Sequence, residues 1–430
     1  MNILVTGAYG FIGRQVVAGL LQAGHQVVCA VRKPEPTVFA GLDTVVCDFA
    51  HDTQPEDWMP RLTDIDAVVN CAGILREGKG QTFDAVHRAA PGALFDACVK
   101  AGLKRVVQVS ALGSPEDGDF IRSKHAADAY LLSLPIESVV VRPSVVYSTS
   151  GSYGGTSLMR ALSATPWVLG LPGSGDQPLQ PITGEDLAAV IVAAVEREAC
   201  ANTMLEAVGP EPITFREYLL GFRQWLGIAP PVILLRVPLF LIGLSAFVGE
   251  RLGRGPLGLT MFRMLQRGNV GKTGAYAELV EKTGVEPGSL AQALSRRPGF
   301  VQDRWHARLY LLRPVLRVFL ALVWIVSGVV GFITPQAEIE TLAQGLGLSM
   351  SVVMPLIYVV SALDLLLGLC LLLGLWVPVV GVLMLVSVLA YTLVFGMALP
   401  NLWLEPLGGL LKNLAVIPAL LVMLAIERIR

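Results

Sequence analysis

The stretch NILVTGAYGFIG, residues 2–13, determines the fold that we expect. Its opening NILVT is a strand-like run, and Gly7, Gly10 and Gly13 follow where such a strand turns into a helix. A glycine is needed there for a tight turn, for close approach of the backbone to a pyrophosphate, and for packing of helix on strand. The first amides of the helix can bind the phosphates. Because the glycines have this strand, turn and helix context, we predict a dinucleotide site.

Five more strand-like runs follow and alternate with helical stretches. They are HQVVCAV (25–31), DTVVCD (43–48), DAVVNC (66–71), KRVVQVS (104–110) and IESVVVRP (136–143). This alternation predicts the α/β class, with a parallel sheet covered by helices on both faces. The segments after Pro143 are rich in glycine and proline, and we expect them to form the substrate side of a crevice.

The residues after the second and third strands bear on the choice of cofactor. Where an NAD-selective site offers an acid to the ribose, this chain has Arg32 and Lys33. A cation there favours the extra phosphate of NADP, although the pair could instead form a solvated turn. Asp48 could accept a hydrogen bond from the adenine amino group or could only form a turn. We therefore expect NADP, with NAD as the alternative.

The predicted cofactor-binding residues lie in the glycine turn, after four of the strands and on one helix. They are Gly7, Tyr9, Gly10, Phe11, Ile12, Gly13, Arg32, Lys33, Asp48, Cys71, Ala72, Gly73, Lys124 and Pro143. The six cysteines are scattered without CxxC spacing, so no metal site is predicted. The net charge of -1 argues against nucleic acid as a partner.

Several of these motifs together resemble the atypical branch of the short-chain dehydrogenase/reductase superfamily. They are the three glycines, NCAG (70–73), VSALG (109–113), Lys124 and VVVRPSVVY (139–147). The resemblance covers about residues 1–300 and implies a Rossmann-type, doubly wound parallel sheet that binds NAD(P). FIRSKHAADAY (120–130) looks most like the accessory NADPH-binding subunit of respiratory complex I. That likeness implies cofactor binding with weak or absent turnover.

Active relatives use a Ser, a Tyr and a Lys together, and the resemblance places Ser110, Phe120 and Lys124 at these positions. Ser110 and Lys124 are therefore the predicted catalytic residues. Loss of the tyrosine hydroxyl should reduce carbonyl reduction by about 10²- to 10⁴-fold without affecting cofactor affinity. Tyr147 or Tyr153 could replace it, although tyrosines in a crevice wall more often pack or contact substrate. A quinone can take its proton from water, so an oxidoreductase and a catalytically silent scaffold or redox sensor both stay open.

From Arg304 onward the chain becomes strongly apolar. Four segments are long and apolar enough to span a membrane: 314–333, 352–374, 376–398 and 408–426. We therefore expect an all-α, four-helix transmembrane domain over residues 304–430, after the NAD(P)-binding domain of 1–300. GGLLKNLAVIPALLVML (408–424) is similar to the DoxX-like family, some of whose members are linked to quinone chemistry.

The distribution of charged residues predicts the orientation of the spans. Arg304, Arg308, Arg313 and Arg317 lie at the entrance to the first span, and Arg428 and Arg430 end the chain. The loop 334–351 has no basic residue. The positive-inside rule then places both termini and the first domain in the cytoplasm, at a bacterial inner membrane. The expected partners are the lipid bilayer, a quinone or isoprenoid, and a respiratory or other membrane complex.

Two features allow more than one interpretation. In the apolar segment 230–253, Arg236 and Pro238 leave an uninterrupted run of roughly 12 residues, which is too short for a membrane span. We expect a core helix, with a helix that lies on the bilayer surface as the alternative. Asp364, near the middle of the second span, could relay protons, contact a quinone head group, or tie two helices together as a protonated acid. Asn413 is its predicted partner.

Overall fold

The computed structural model describes residues 1–35, 37–78, 80–251, 258–404 and 409–427. The chain divides into two compact units, Met1–Ala307 and Arg308–Arg430. A single helix covers residues 301–333, and the predicted domain limits of 300 and 304 stay a prediction. Arg428 and Arg430, on which the predicted orientation partly depends, lie outside the described residues.

The first unit is built on a sheet of seven parallel strands. The strands of this unit are β1 Asn2–Thr6, β2 Gln26–Val31, β3 Asp43–Val46, β4 Ala67–Asn70, β5 Arg105–Val109, β6 Glu137–Pro143, β7 Val146–Tyr147, β8 Val168–Pro172, β9 Pro178–Leu179, β10 Ile182–Thr183, β11 Thr203–Ala207, β12 Ile213–Thr214 and β13 Ile233–Val237. The sheet has the order β11-β6-β5-β4-β1-β2-β3. The direction of winding changes between β1 and β4, which is where this architecture binds ligands.

The six predicted strands are all present in this sheet, and the predicted α/β, Rossmann-type doubly wound fold is confirmed. The β-branched residues of β1, β4, β5 and β6 are buried, because helices cover both faces of the sheet there, whereas the edge strand β3 is largely exposed. The seventh strand, β11, was not predicted. It lies at the edge of the sheet and its sequence, TMLEA, has exposed positions and no continuous apolar run.

The first unit has its α-helices between and after these strands. They are α1 Phe11–Gln22, α2 Pro55–Trp58, α3 Ala90–Lys100, α4 Asp119–Ser133, α5 Gly155–Ser163, α6 Gly184–Glu196, α7 Phe215–Trp225, α8 Leu239–Arg251, α9 Leu259–Arg267, α10 Ala275–Thr283 and α11 Leu290–Arg296. One apolar core contains Val16 and Leu20 of α1 and Ile191 of α6. A second contains Phe95 of α3 and Leu131 of α4. The two cores hold α1 and α4 on opposite faces, with their first turns at the carboxyl ends of the strands.

The second unit is all-α, as predicted. Its helices are α12 Val301–Ile333, which begins in the first unit, α13 Gln336–Gly345, α14 Met350–Leu373, α15 Val377–Ala398 and α16 Asn413–Glu427. In the described part of the chain, α12, α14 and α15 are long and apolar enough to cross a membrane. The apolar helix α16 has 15 residues, fewer than the roughly 20 that a span needs, so the fourth span stays a prediction. Together these helices indicate a membrane protein.

Asp364 is buried in the second unit, with 4% of its surface exposed. Ser327 of α12 donates a hydrogen bond to its Oδ2 over 3.1 Å. The side-chain amide of Asn413, the predicted partner, instead donates to Thr392 over 2.9 Å. Ser327 was missed because α12 and α14 meet only in the folded bundle.

The interpretation of residues 230–253 as a core helix is wrong. Arg236 and Pro238 divide the segment into β13 and α8, and the one buried residue of α8 is Ala246. The remaining apolar side chains of both elements are largely exposed.

Candidate functional site

The glycine turn after β1 has a geometry that only glycine permits. Gly7 has φ +62°, in the left-handed region, and a Cβ there would lie 2.9 Å from the backbone of Cys71 and Ala72. A Cβ at Gly13 would clash with the carbonyl oxygen of Gly7. The chain therefore turns tightly and places the first turn of α1 directly beside the end of β4.

The start of α1 offers free backbone donors to an anion. Gly10 is the N-cap and provides no side-chain cap, and the first turn contains no acidic residue. The first intrahelical bond from this end runs from Arg14 N–H to Gly10, so the amides of Phe11, Ile12 and Gly13 have no helical partner. A Cβ at exposed Gly10 would meet only the Gly7 oxygen, at 3.0 Å, and the space beyond is open. This cradle, which a side chain at Gly10 would fill, fits a pyrophosphate.

The ends of β2 and β3 lie next to this turn. Tyr9 donates a long hydrogen bond, 3.5 Å, to the carbonyl of Glu35 and so connects the glycine turn with the loop after β2. Arg32 and Lys33 are exposed in that loop, and neither forms an ion pair within the described residues. They could hold a phosphate on the adenosine ribose. Asp48 accepts a hydrogen bond from Ala50 N–H at 3.0 Å, so it forms a turn, and this does not exclude a contact with adenine.

Asn70 holds the NCAG segment in place. It is fully buried, its Oδ1 accepts from Ala72 N–H at 3.2 Å, and its amide donates to Gln108 at 2.7 Å. Cys71, Ala72 and Gly73 therefore run past the glycine turn in a fixed conformation. Burial raises the pKa of Cys71 to about 12, so its thiol stays neutral.

Lys124 joins the ends of two neighbouring strands. It projects from α4, has 5% of its surface exposed, and donates to the carbonyls of Ala72 (2.9 Å) and Val109 (3.1 Å). A Cβ at Gly73 would lie 3.1 Å from its Nζ. Burial lowers the pKa of Lys124 to about 8. The ammonium is thus fixed at the carboxyl edge of the sheet, where it could contact the ribose of a dinucleotide.

Phe120 lies one helical turn before Lys124 in an aromatic cluster. Its ring centroid is 6.1 Å from Phe83 and 5.4 Å from His87, both in edge-to-face geometry. The position at which the resembling reductases carry a hydroxyl is therefore apolar.

His87 is fully buried beside Phe120 and was not found from the sequence. Its Nε2 accepts from Ile74 N–H at 3.0 Å, so Nδ1–H donates to Ser123 Oγ at 2.9 Å. Burial, together with Lys124, lowers the pKa of His87 to about 2. Because the ring is neutral and both nitrogens are engaged, His87 cannot replace tyrosine as the proton donor. His87 lies in a π-helical turn, Asp84–Ala89. No sequence motif marks this position.

Ser110, the other predicted catalytic residue, is tied to a buried acid. Its hydroxyl donates to Asp128 over 2.7 Å, and Asp128 pairs with Arg142 at 2.9 Å. Burial raises the pKa of Asp128. Ser110 can still accept a hydrogen bond, but its proton is directed into this cluster. Pro143 ends β6, and its carbonyl accepts from Leu112 N–H at 2.9 Å, which joins the chain after β5 to the end of β6.

The two tyrosines considered as substitutes differ in exposure. Tyr147 is 1% exposed and packs edge-to-face against Tyr218 and Phe222, with centroids 6.0 and 5.7 Å apart. Burial raises its pKa, so it is a packing residue and not a proton donor. Tyr153 is 48% exposed, and its carbonyl accepts a hydrogen bond from the Thr156 hydroxyl at 2.9 Å.

Comparisons with known proteins agree with this division of the chain. Residues 7–198 match the NAD(P)H-binding family, and residues 321–421 match the DoxX-like family. The first match contains the glycine turn, NCAG and Lys124. The second contains the last part of α12 and the whole of α14 and α15.

Two relatives share the first region. One is NADH dehydrogenase [ubiquinone] 1 alpha subcomplex subunit 9 of Arabidopsis thaliana, 29% identical over 50% of this chain and 55% of the relative. The other is the photosystem II assembly factor Ycf39 of Synechocystis, 26% identical over 49% of this chain and 63% of the relative. The chain thus spans about half of the first relative and less than two thirds of the second.

A solved structure of a short-chain dehydrogenase/reductase superfamily protein from Agrobacterium tumefaciens, with bound NAD, has the same fold. The superposition includes 72% of this chain and 98% of the Agrobacterium chain, with a TM-score of 0.51 and 17% sequence identity. At this identity the likeness shows the fold and not the activity.

Proposed function

We propose that this chain, which joins an NAD(P)H-binding Rossmann domain to a DoxX-like membrane domain, is an oxidoreductase that uses NADPH to reduce a lipid-soluble acceptor, such as a quinone or an isoprenoid. The observation that supports this most is the amide cradle at Gly10, in a chain that also carries three helices apolar enough to cross a membrane. A dinucleotide site in a membrane protein supports an acceptor that is dissolved in the lipid.

The residues around the cradle have separate tasks in this proposal. The amides of Phe11, Ile12 and Gly13 bind the pyrophosphate, and Lys124 binds the nicotinamide ribose. Arg32 and Lys33 bind the phosphate that distinguishes NADPH from NADH, since a cation at this position favours it. Tyr9, Cys71, Ala72, Gly73 and Pro143 line the dinucleotide, and Asp48 contacts its adenine.

A quinone suits the surroundings of Phe120 better than a ketone does. NADPH, when bound, supplies a hydride. A ketone also needs a proton at its oxygen, and neither Phe120 nor neutral His87 can donate one. Addition of the hydride to a quinone gives the quinolate anion, whose negative charge is delocalised over the ring, and this anion can take the one remaining proton from water to give the quinol.

We further propose that the protein lies in a bacterial inner membrane with four spans and with both termini in the cytoplasm. The four basic residues that precede the apolar part of α12, and a loop before α14 without basic residues, support this orientation. Cytoplasmic NADPH would then reach the first unit directly.

The experiment is a turnover assay on the full chain in lipid nanodiscs. NADPH oxidation and quinol formation are both measured, with a long-chain quinone in the lipid and with a short-chain, water-soluble quinone. We expect one quinol for each NADPH oxidised, and no reaction in Gly10→Asp. NADPH binding without quinol formation from either quinone would contradict the proposal.

The second candidate is a catalytically silent scaffold or redox sensor. The engagement of Ser110 by Asp128 and the apolar surroundings of Phe120 favour it, because together they remove the usual proton route. The names of the two relatives, a complex subunit and an assembly factor, point in the same direction. If NADPH stabilises a membrane complex that retains this chain, while no acceptor is reduced, the scaffold is the better description.

A further inference from the structure

The first unit has one prominent apolar surface outside its cores. It is formed by β13 and α8, and we call it the outer cap surface; its residues are Val232, Ile233, Leu235, Phe240, Leu244 and Phe247. Their exposed fractions range from 46% for Phe247 to 78% for Val232. Exposed apolar side chains in this number are typical of an interaction surface. No part of the described chain covers it.

Two arginines belong to the elements that form this surface. Arg236 lies on β13 and Arg251 ends α8. The guanidinium of Arg251 lies 5.3 Å from the ring centre of Phe247, at the edge of the apolar residues. Apolar side chains bordered by arginine are typical of segments that enter the interface of a bilayer with anionic lipids.

The outer cap surface is the outer side of a helical cap over the crevice. Beneath α8 lies α9, and a Cβ at Gly243 would approach the ring of Phe262 to 3.1 Å. Arg267 at the end of α9 pairs with Asp117 at 3.1 Å, and a Cβ at Gly118 would lie 2.8 Å from Thr260. Asp117 and Gly118 directly precede α4, whose second residue is Phe120.

The cap is also attached to the other loops on the substrate side. Arg76, in the loop after β4, donates to the carbonyl of Gly249 at 3.4 Å. A Cβ at Gly155, at the start of α5, would clash with Met261. The cap therefore joins the loops after β4, β5 and β7, which form the substrate side of a Rossmann crevice.

We propose that the outer cap surface inserts into the interface of the bilayer, so that the substrate side of the crevice opens to lipid and receives an acceptor dissolved there. The bilayer is the occupant because the same chain carries membrane-spanning helices, and because arginines border the surface as anionic lipid requires. The choice of acceptor rests on the proposed function, whereas insertion of the surface does not.

Insertion is tested with an environment-sensitive NBD fluorophore on the full chain in nanodiscs of phosphatidylcholine and phosphatidylglycerol. The label is placed at Phe240→Cys and, as the matched control, at Val46→Cys, since Val46 is 57% exposed on the edge strand β3. Labelled wild-type protein gives the background from native cysteines. We expect blue-shifted emission, quenched by spin-labelled lipid, at Phe240→Cys only. Equal emission at both sites, without quenching, would overturn the proposal and favour a protein partner.

The acceptor route is tested with Phe240→Asp combined with Leu244→Asp, against Val46→Asp. We expect the NADPH dissociation constant and the rate with a water-soluble quinone to be unchanged. The rate with a long-chain quinone in the nanodisc should fall severalfold in the double variant only. Equal rates with the long-chain quinone in all variants would show that the acceptor does not enter the crevice through the outer cap surface. Wild-type protein that reduces neither quinone would contradict the proposed function instead, and the fluorescence would still decide on insertion.

Discussion

The ring of Phe120 stands edge-on to the imidazole of His87, with centroids 5.4 Å apart and planes at 78°. His87 donates to Ser123, and the Ser123 hydroxyl donates to the carbonyl of Phe120 at 3.0 Å. The polar groups of His87 and Ser123 beside the Phe120 ring therefore already form hydrogen bonds within the protein. Lys124 is thus in place, while the tyrosine hydroxyl of the resembling reductases is replaced by an apolar ring.

Phe120→Tyr should restore a proton donor one helical turn from Lys124. We expect reduction of a simple ketone by NADPH to rise by about 10²- to 10⁴-fold over the wild type, the usual contribution of general acid catalysis. The measurement is steady-state NADPH oxidation with the ketone. Phe120→Leu, which keeps the site apolar, is the control. A folded Phe120→Tyr protein that binds NADPH and gains no activity would show that more than the hydroxyl is missing.

The sequence predicted the parts of the fold that depend on local pattern. Six strands were identified because each is a run of β-branched residues, and the glycine turn because Gly7 and Gly13 have no alternative at their positions. The edge strand β11 lacks such a run. Segment 230–253 was predicted to be a buried helix because it is apolar. In the structure, Arg236 and Pro238 divide it into β13 and α8, and the apolar side chains of both are largely exposed.

The polar contacts of the site depend on pairs that are distant in sequence. His87 meets Phe120 and Ser123 across more than thirty residues, and Ser110 meets Asp128 from the next helix. The pairing of His87 with Ser123 requires the sheet to place the ends of β4 and β5 side by side, and that of Ser110 with Asp128 requires α4 to pack back on β5. Sequence spacing identified Lys124 as a candidate but did not reveal the two carbonyls that fix it.

Gly10→Asp should abolish NADPH binding and leave the fold intact. Gly10 has extended backbone angles, φ -71° and ψ 171°, and aspartate is a preferred N-cap residue in this conformation. The carboxylate would cap α1, fill the cradle and repel the pyrophosphate. Calorimetry should detect no NADPH binding, and the melting temperature should be close to that of the wild type.

Gly151→Asp is the matched control, since a Cβ at Gly151 meets no atom within 4 Å. It should bind NADPH like the wild type. If Gly10→Asp binds NADPH as tightly as the wild type, the amides at the start of α1 do not bind the cofactor.

Arg32 and Lys33 should determine the preference for NADPH over NADH. Replacing both with alanine removes charge-assisted hydrogen bonds to the extra phosphate, each contributing roughly 1.5–3 kcal/mol, so NADPH affinity should fall at least about tenfold. NADH affinity should hardly change. Dissociation constants for both cofactors are measured in the double variant and in Lys104→Ala, which removes an exposed cation from the loop before β5. Equal loss of affinity for NADPH and NADH would show that Arg32 and Lys33 do not bind the extra phosphate of NADPH.

Lys124 should make the stability of the first unit depend on pH. Burial lowers its pKa from the ordinary value of 10.5 to about 8. Between these values the unfolded chain binds the extra proton and the folded chain does not, so stability rises with pH through this range. Below about pH 8 the fold carries a buried ammonium. Lys124→Met should therefore raise the melting temperature at neutral pH, and the gain should disappear as the pH approaches 10.5.

The same titration should control cofactor affinity. A charged Lys124 donates to the ribose more strongly than a neutral amine, so wild-type NADPH affinity should fall as the pH rises through about 8. Calorimetry on either side of that pH, in wild type and in Lys124→Met, measures the effect. The variant should bind more weakly at neutral pH and show no change in this window, because its side chain does not titrate. A parallel decline in both proteins would assign the pH dependence to another group and leave Lys124 with a structural role at the ends of β4 and β5.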